Sequence, residues 1–73
     1  MKVKINLDKF STILQFVKIC EEIDVPVYLT DGNHYKVSAK SLIGAMATVE
    51  WDELWCECET DIFMKLKPFI VEE

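Results

Sequence analysis

The segment spanning residues 37–47 constrains the fold of this chain more than any other part of the sequence. It begins as the end of a strand and continues as a short helix that is too apolar for an ordinary solvated surface helix. Ser41 is placed to cap that helix, because its hydroxyl oxygen can accept hydrogen bonds from the free N–H groups of the first turn. Gly44 inside the helix costs about 1 kcal/mol relative to alanine. We therefore expect another element, or another protein, to approach the backbone closely at Gly44.

Length, composition and charge set the class of protein. With 73 residues, of which 51% are hydrophobic, we expect one domain over residues 1–73 with a modest core. The chain has no apolar run of about 18 residues and no N-terminal leader pattern, which predicts a soluble cytoplasmic protein without a transmembrane segment or signal peptide. A net charge of −5 without any arginine argues against a nucleic-acid partner and against an enzyme that clamps anionic substrates.

Alternation and helical spacing predict the order of elements in the first half of the chain. Residues 2–7 alternate as a strand, and Asp8 is a plausible N-cap for a helix that stops at Val25 and Pro26. The predicted buried stripe of that helix consists of Phe10, Ile13, Leu14, Val17 and Cys20, widened by Phe16, Ile19 and Ile23. Residues 25–30 and 35–38 read as two strands of a hairpin, joined at the turn signal Asp31-Gly32.

The second half predicts one more strand and one more helix. Residues 54–59 alternate, with Leu54, Cys56 and Cys58 on one face and Trp55, Glu57 and Glu59 on the other. Thr60 or Asp61 is expected to cap a final helix that Pro68 kinks or ends, and the acidic pair Glu72 and Glu73 is expected to fray. The predicted buried stripe of this helix is Ile62, Phe63, Leu66 and either Phe69 or Ile70. Residues 49–53 carry no clear pattern.

The order β-α-β-β-α-β-α predicts an α+β fold. We expect a two-layer open-faced sandwich, in which a four-stranded antiparallel sheet carries the helices on one face and leaves the other face wet.

The segment from Lys40 to Met46 resembles the motif around the regulatory serine of the HPr family of phosphocarrier proteins of the sugar phosphotransferase system. The element order, the Asp31-Gly32 turn and the position of the final helix are also similar to that family. HPr proteins carry phosphate on a histidine in a Gly-x-His-x-Arg-Pro loop before the first helix. The matching residues 6–11 contain no histidine, arginine or proline. The resemblance therefore implies an HPr-like domain that has lost its phosphocarrier chemistry.

The resemblance also implies a regulatory role for Ser41, since a dedicated kinase phosphorylates the corresponding serine in the family. Partners would dock on the neighbouring residues, which makes the candidate binding set Lys40, Ser41, Leu42, Ile43 and Met46. The implied partners are a phosphotransferase-system component, the serine kinase or a transcriptional regulator. Two simpler interpretations remain open at this point: Ser41 is only a cap, and the apolar residues of the helix pack on the sheet.

The remaining chemically suggestive residues favour structural roles. His34 is expected to be a solvated turn histidine. Cys20, Cys56 and Cys58 fall short of a structural zinc site, so we expect reduced core cysteines without metal or cofactor. No nucleophile–base pair indicates an enzyme. The alternative function is a homodimeric or larger scaffold that associates through the exposed sheet face, where Trp55 and Tyr28 are expected to lie.

Overall fold

Four short strands form one antiparallel sheet in the computed structural model, which describes residues 1–71. The strands are β1 (Lys2–Lys4), β2 (Val27–Thr30), β3 (Lys36–Ser38) and β4 (Trp55–Cys58). Their spatial order is β1-β4-β2-β3. Cys56 on β4 lies opposite both Val3 on β1 and Leu29 on β2, and Leu29 also lies opposite Val37 on β3. These four apolar residues share one face of the sheet.

Three α-helices and two 3₁₀ turns complete the described chain. The helices are α1 (Phe10–Glu21), α2 (Leu42–Ala47) and α3 (Phe63–Leu66), and the 3₁₀ turns are Thr48–Glu50 and Lys67–Phe69. The observed order of strands and helices is the predicted one, and the predicted α+β open-faced sandwich is confirmed. None of the helices described within residues 1–71 is long and apolar enough to cross a membrane.

The core lies between the inner sheet face and the helices. Helix α1 buries Ile13, Phe16, Val17 and Cys20, as its spacing predicts. The ring of Phe16 meets the ring of Phe69 edge to face, with centroids 5.3 Å apart. The sheet contributes the buried side chains of Val27, Leu29, Cys56 and Cys58 to the same cluster. Because one apolar cluster joins both layers, the outer sheet face is left to water.

Two residues that the sequence predicts to be buried are exposed, and each is the first residue of a helix. Phe10 is 55% exposed and Phe63 is 41% exposed. Their spacing places them on the apolar stripe, but a residue at a helix end is buried only where another element extends far enough to cover it. The predicted cap of α1 is also wrong, because Lys9 occupies the N-cap position and no side chain caps the helix. Asp8 is exposed one residue earlier.

The start and end of α3 agree with the prediction, whereas two strands differ from it in length. Asp61 Oδ1 accepts a hydrogen bond from the Phe63 N–H at 3.0 Å, so it serves the first turn of α3 although Ile62 holds the N-cap position. Pro68 lies in the 3₁₀ turn that follows α3, and the regular helix ends before it as predicted. Strands β2 and β3 are shorter than predicted, beginning at Val27 and Lys36. The predicted fraying of residues 72–73 lies outside the described part of the chain.

Candidate docking surface

Ser41 opens α2 as its N-cap. The Gly44 N–H donates a hydrogen bond to Ser41 Oγ at 3.1 Å, and the Ala45 N–H donates to the Ser41 carbonyl oxygen at 2.9 Å. The extended backbone of Ser41, with φ −97° and ψ 118°, is typical of an N-cap residue. The preceding Ala39 is fully buried and its N–H donates to Val27 O, which ties the start of α2 to the sheet. The predicted capping role is therefore confirmed, and the residue is exposed.

Lys40 has a structural contact that its sequence context does not reveal. Its Nζ donates a hydrogen bond to the carbonyl oxygen of Ile23, just beyond the end of α1. The lysine is half-buried and links the loop before α2 to the loop after α1. Its ammonium group therefore already has a hydrogen-bond partner within the chain. The other residues of the candidate binding set must supply most of any docking contact.

The apolar side chains of α2 divide between the core and the surface. Ala45 is fully buried and Leu42 is half-buried against the core cluster. Ile43 is 83% exposed and Met46 is 43% exposed, so the interpretation that α2 packs its apolar residues on the sheet is wrong for these two. Val49, in the following 3₁₀ turn, is also exposed. Sequence reasoning missed Val49, although its spacing of three from Met46 was a usable signal.

We define the α2 surface as Ser41, Ile43, Met46 and Val49. The three apolar members recur every third residue along a helical segment, and residues at that spacing are neighbours on a helix surface. The Ser41 hydroxyl therefore lies at the start of an exposed apolar row, which consists of Ile43, Met46 and Val49. The row can be buried only by a molecule outside the described residues.

The fold itself does not require glycine at position 44. An added Cβ would stand 3.4 Å from Val37 Cβ and 3.4 Å from the Ser41 side chain, which is ordinary van der Waals contact. Strand β3 therefore approaches Gly44 through Val37, but no element among residues 1–71 comes close enough to exclude a Cβ. The conformational cost of Gly44, about 1 kcal/mol, has no compensating contact there.

The segment before α1, which includes residues 5–8, has a structural role. The Ile5 N–H donates to Leu54 O and the Asn6 N–H donates to Phe69 O, both at 2.9 Å. Leu7 is buried in the core, and Asp8 and Ser11 are exposed. These contacts attach the segment to Leu54, just before β4, and to the C-terminal 3₁₀ turn.

The hairpin loop is organised by one carboxylate. Asp31 Oδ1 accepts hydrogen bonds from the backbone N–H groups of Asn33, His34 and Tyr35 at 2.9–3.1 Å. These bonds favour the ionised form and lower the pKa of Asp31. His34 is exposed in this loop, as expected for a solvated turn histidine.

The outer sheet face combines aromatic rings with charged side chains. Lys36 Nζ lies 3.0 Å from Glu57 Oε1 and 4.9 Å from the centroid of the Tyr28 ring. Lys2 Nζ lies 5.7 Å from the Trp55 ring. Trp55 and Glu57 are on the face opposite the buried cysteines, as the alternation predicts. The two aromatic rings already contact lysines of their own chain, so this face is less available for self-association than bare rings would be.

The three cysteines are buried and unpaired in the core. The pKa values of Cys20 and Cys56 are raised to about 12, mainly by burial and in smaller part by the neighbouring thiols. Among residues 1–71 no group of three metal-ligating side chains is arranged to hold a metal ion. Thiols this strongly held in the neutral form are poor nucleophiles.

Family models, curated proteins and solved structures were compared with the chain, and none matches. The resemblance to the HPr family therefore depends on the Lys40–Met46 segment and the order of elements. Any assignment of function therefore starts from the α2 surface, with its exposed hydroxyl and apolar side chains.

Proposed function

We propose that the chain is an HPr-like protein without the carrier histidine, and that it acts as a regulatory, protein-binding module related to the sugar phosphotransferase system. Its partner docks on the α2 surface, and phosphate on Ser41 switches that docking. One observation supports this most strongly: Ser41 caps α2 beside Ile43, whose side chain is 83% exposed on a short helix. A large apolar residue in that position contributes little to the core and is available to a partner.

The size of the apolar row fits a protein contact. Full burial of an isoleucine or methionine side chain is worth about 1.5–3 kcal/mol. A partner that covers Ile43, Met46 and Val49 would gain several kcal/mol before the costs of association, which is the scale of an interface hot spot. Met46 adds an unbranched side chain that can adjust to the shape of the partner.

Phosphorylation of Ser41 would change the charge at the edge of this row. A phosphate group carries about −1.5 to −2 charges at neutral pH, and the free N–H groups at the start of α2 favour it there. The nearest candidate cation, Lys40, already donates to Ile23 O, and the chain has no arginine. The added charge would consequently remain available to a basic group on the partner. Phosphate would select partners by charge, while the apolar row supplies contact area.

Two phosphorylation reactions test the switch. Incubation with the general phosphotransferase enzyme and phosphoenolpyruvate should yield no phosphohistidine, and incubation with the HPr serine kinase and ATP should place phosphate on Ser41. Ser41→Ala should abolish the second reaction, and Ser11→Ala, which alters an exposed serine on α1, should leave it intact. Phosphohistidine at His34 would contradict the loss of carrier chemistry. Phosphate confined to other serines would contradict the switch.

Docking is tested by paired substitutions of exposed apolar residues. Ile43→Asp should weaken calorimetrically measured binding to the general phosphotransferase enzyme about tenfold or more, which corresponds to the loss of one buried side chain. Met64→Asp is the matched control, because Met64 is 75% exposed on α3 and outside the α2 surface. Equal losses from both variants would refute docking at α2.

The alternative function is self-association through the outer sheet face. Tyr28 and Trp55 lie on the two central strands and face away from the core. Sedimentation equilibrium over a wide concentration range distinguishes the two functions. A monomer at every concentration would eliminate the scaffold, and a dimer dissociated by Tyr28→Ser would favour it.

A further inference from the structure

A concave surface lies between the β2–β3 hairpin loop and the connection that follows α2. It is open to solvent and has a volume of about 520 Å³. Its lining residues are Asp31, Asn33, Tyr35, Glu50, Trp51, Asp52 and Glu53. We call it the Tyr35–Trp51 groove. The groove shares no residue with the α2 surface, although Glu50 follows Val49 in the same 3₁₀ turn.

A stacked aromatic pair forms one wall of the groove. The rings of Tyr35 and Trp51 have centroids 5.9 Å apart and an interplanar angle of 21°. Trp51 packs partly against the core, whereas Tyr35 is 62% exposed. The tryptophan therefore anchors a tyrosine ring that is otherwise open to solvent. The Asp31 hydrogen bonds to the loop N–H groups hold the tyrosine backbone in place from the other side.

The charged lining residues all have the same sign. Four of the seven lining residues are carboxylates and none is a lysine. Lys4 approaches Glu53 at 3.8 Å, but Glu50 and Asp52 take part in neither of the two ion pairs found among residues 1–71. Both of these carboxylates are exposed. An anchored aromatic wall beside unpaired carboxylates is the arrangement that attracts an organic cation.

We propose that the Tyr35–Trp51 groove binds a lysine or arginine side chain on a basic segment of a partner protein. The cationic head packs on the aromatic wall and pairs with Glu50 and Asp52. Anionic ligands are repelled by the four carboxylates, and a purely apolar segment would have to desolvate them without compensation. A basic segment is the one peptide chemistry that both the rings and the charges favour. The proposed site uses none of the residues of the α2 surface.

The probe for this proposal is an octapeptide of alternating arginine and glycine, compared with the same peptide in which citrulline replaces arginine. Citrulline keeps the shape of arginine and removes its charge. Binding is followed by amide and indole chemical shifts of the labelled protein. We expect saturable shifts at Tyr35, at the Trp51 indole and at residues 50–53 with the arginine peptide, and affinity reduced about tenfold or more for the citrulline peptide.

Three variants locate the site. Tyr35→Ala should weaken arginine-peptide binding about threefold or more, and Glu50→Gln/Asp52→Asn about fivefold or more. The matched control is Glu21→Gln/Glu22→Gln, which changes the net charge equally at exposed positions at the end of α1. It should change affinity less than twofold.

Each contrary outcome would overturn the proposal. Equal losses in the groove and control variants would show attraction to net charge only. Equal affinity for the citrulline peptide, shifts elsewhere on the surface, or no saturable binding would each exclude a cation site in the groove. The charge variants retain the aromatic wall, so the test remains decisive even if Tyr35→Ala destabilises the hairpin.

Discussion

The two glycines of this chain should respond to alanine in opposite directions. At Gly44 the backbone φ is negative, and the added Cβ would meet Val37 and Ser41 at 3.4 Å. Alanine removes a helix-propensity cost of about 1 kcal/mol and leaves the N–H bond to Ser41 Oγ intact. We expect Gly44→Ala to raise the free energy of unfolding by about 0.5–1 kcal/mol. For a domain of this size, that corresponds to a rise in Tm of about 2–8 °C.

At Gly32 the same substitution meets two obstacles. The φ of 83° is one that residues with a Cβ rarely adopt, and the added Cβ would stand 3.3 Å from Trp55 Nε1. Forcing a side chain into a positive φ costs about 1–2 kcal/mol. Gly32→Ala should therefore lower the free energy of unfolding by at least that amount. Gly32→Ala is therefore the control, because it shows that the same assay detects a destabilising change in backbone conformation.

Urea denaturation followed by far-UV circular dichroism measures both effects, since Trp55 beside Gly32 would complicate a fluorescence signal. With a slope of about 1 kcal/mol per molar urea, Gly44→Ala should raise the midpoint by about 0.5–1 M at an unchanged slope. The midpoint of Gly32→Ala should fall. A lowered midpoint for Gly44→Ala would refute the reasoning, because it would mean that the fold needs the space at this position. A stabilised variant with weakened partner binding would instead connect Gly44 to docking.

Two further predictions concern the core. Leu66→Ala, at a fully buried position, should lower the free energy of unfolding by about 2–5 kcal/mol, whereas Ile43→Ala should stay within about 0.5 kcal/mol, both measured by urea denaturation. The raised pKa values of Cys20 and Cys56 give a stabilising contribution that is complete below pH 9 and lost as the pH rises from 9.0 to about 12. Urea midpoints should therefore fall more steeply over this range in the wild type than in Cys20→Ala/Cys56→Ala; parallel declines would show that other groups are responsible. Alkylation of the native protein at pH 8 should likewise be much slower than in urea.

Local patterns in the sequence were sufficient for the elements and for several of their contacts. The alternation through β4 correctly separates Cys56 and Cys58 from Trp55 and Glu57, because side chains of a strand alternate between faces whatever lies beyond them. Ser41 caps α2 because an N-cap needs only the N–H groups of the adjacent turn. These features depend only on residues within four positions of each other, so the amino-acid sequence is sufficient to predict them.

The tertiary structure decided which surfaces are left open. The spacing of Phe10 resembles that of buried Val17, yet only the arrangement of the other elements determines how much of α1 is covered. The Lys40 ammonium group donates a hydrogen bond to Ile23 O, 17 residues away in sequence, a contact that no local pattern predicts. The Tyr35 and Trp51 rings stack because the tertiary structure brings the β2–β3 hairpin next to the connection that follows α2. Exposure and long-range contact depend on how the layers pack, which no local pattern records.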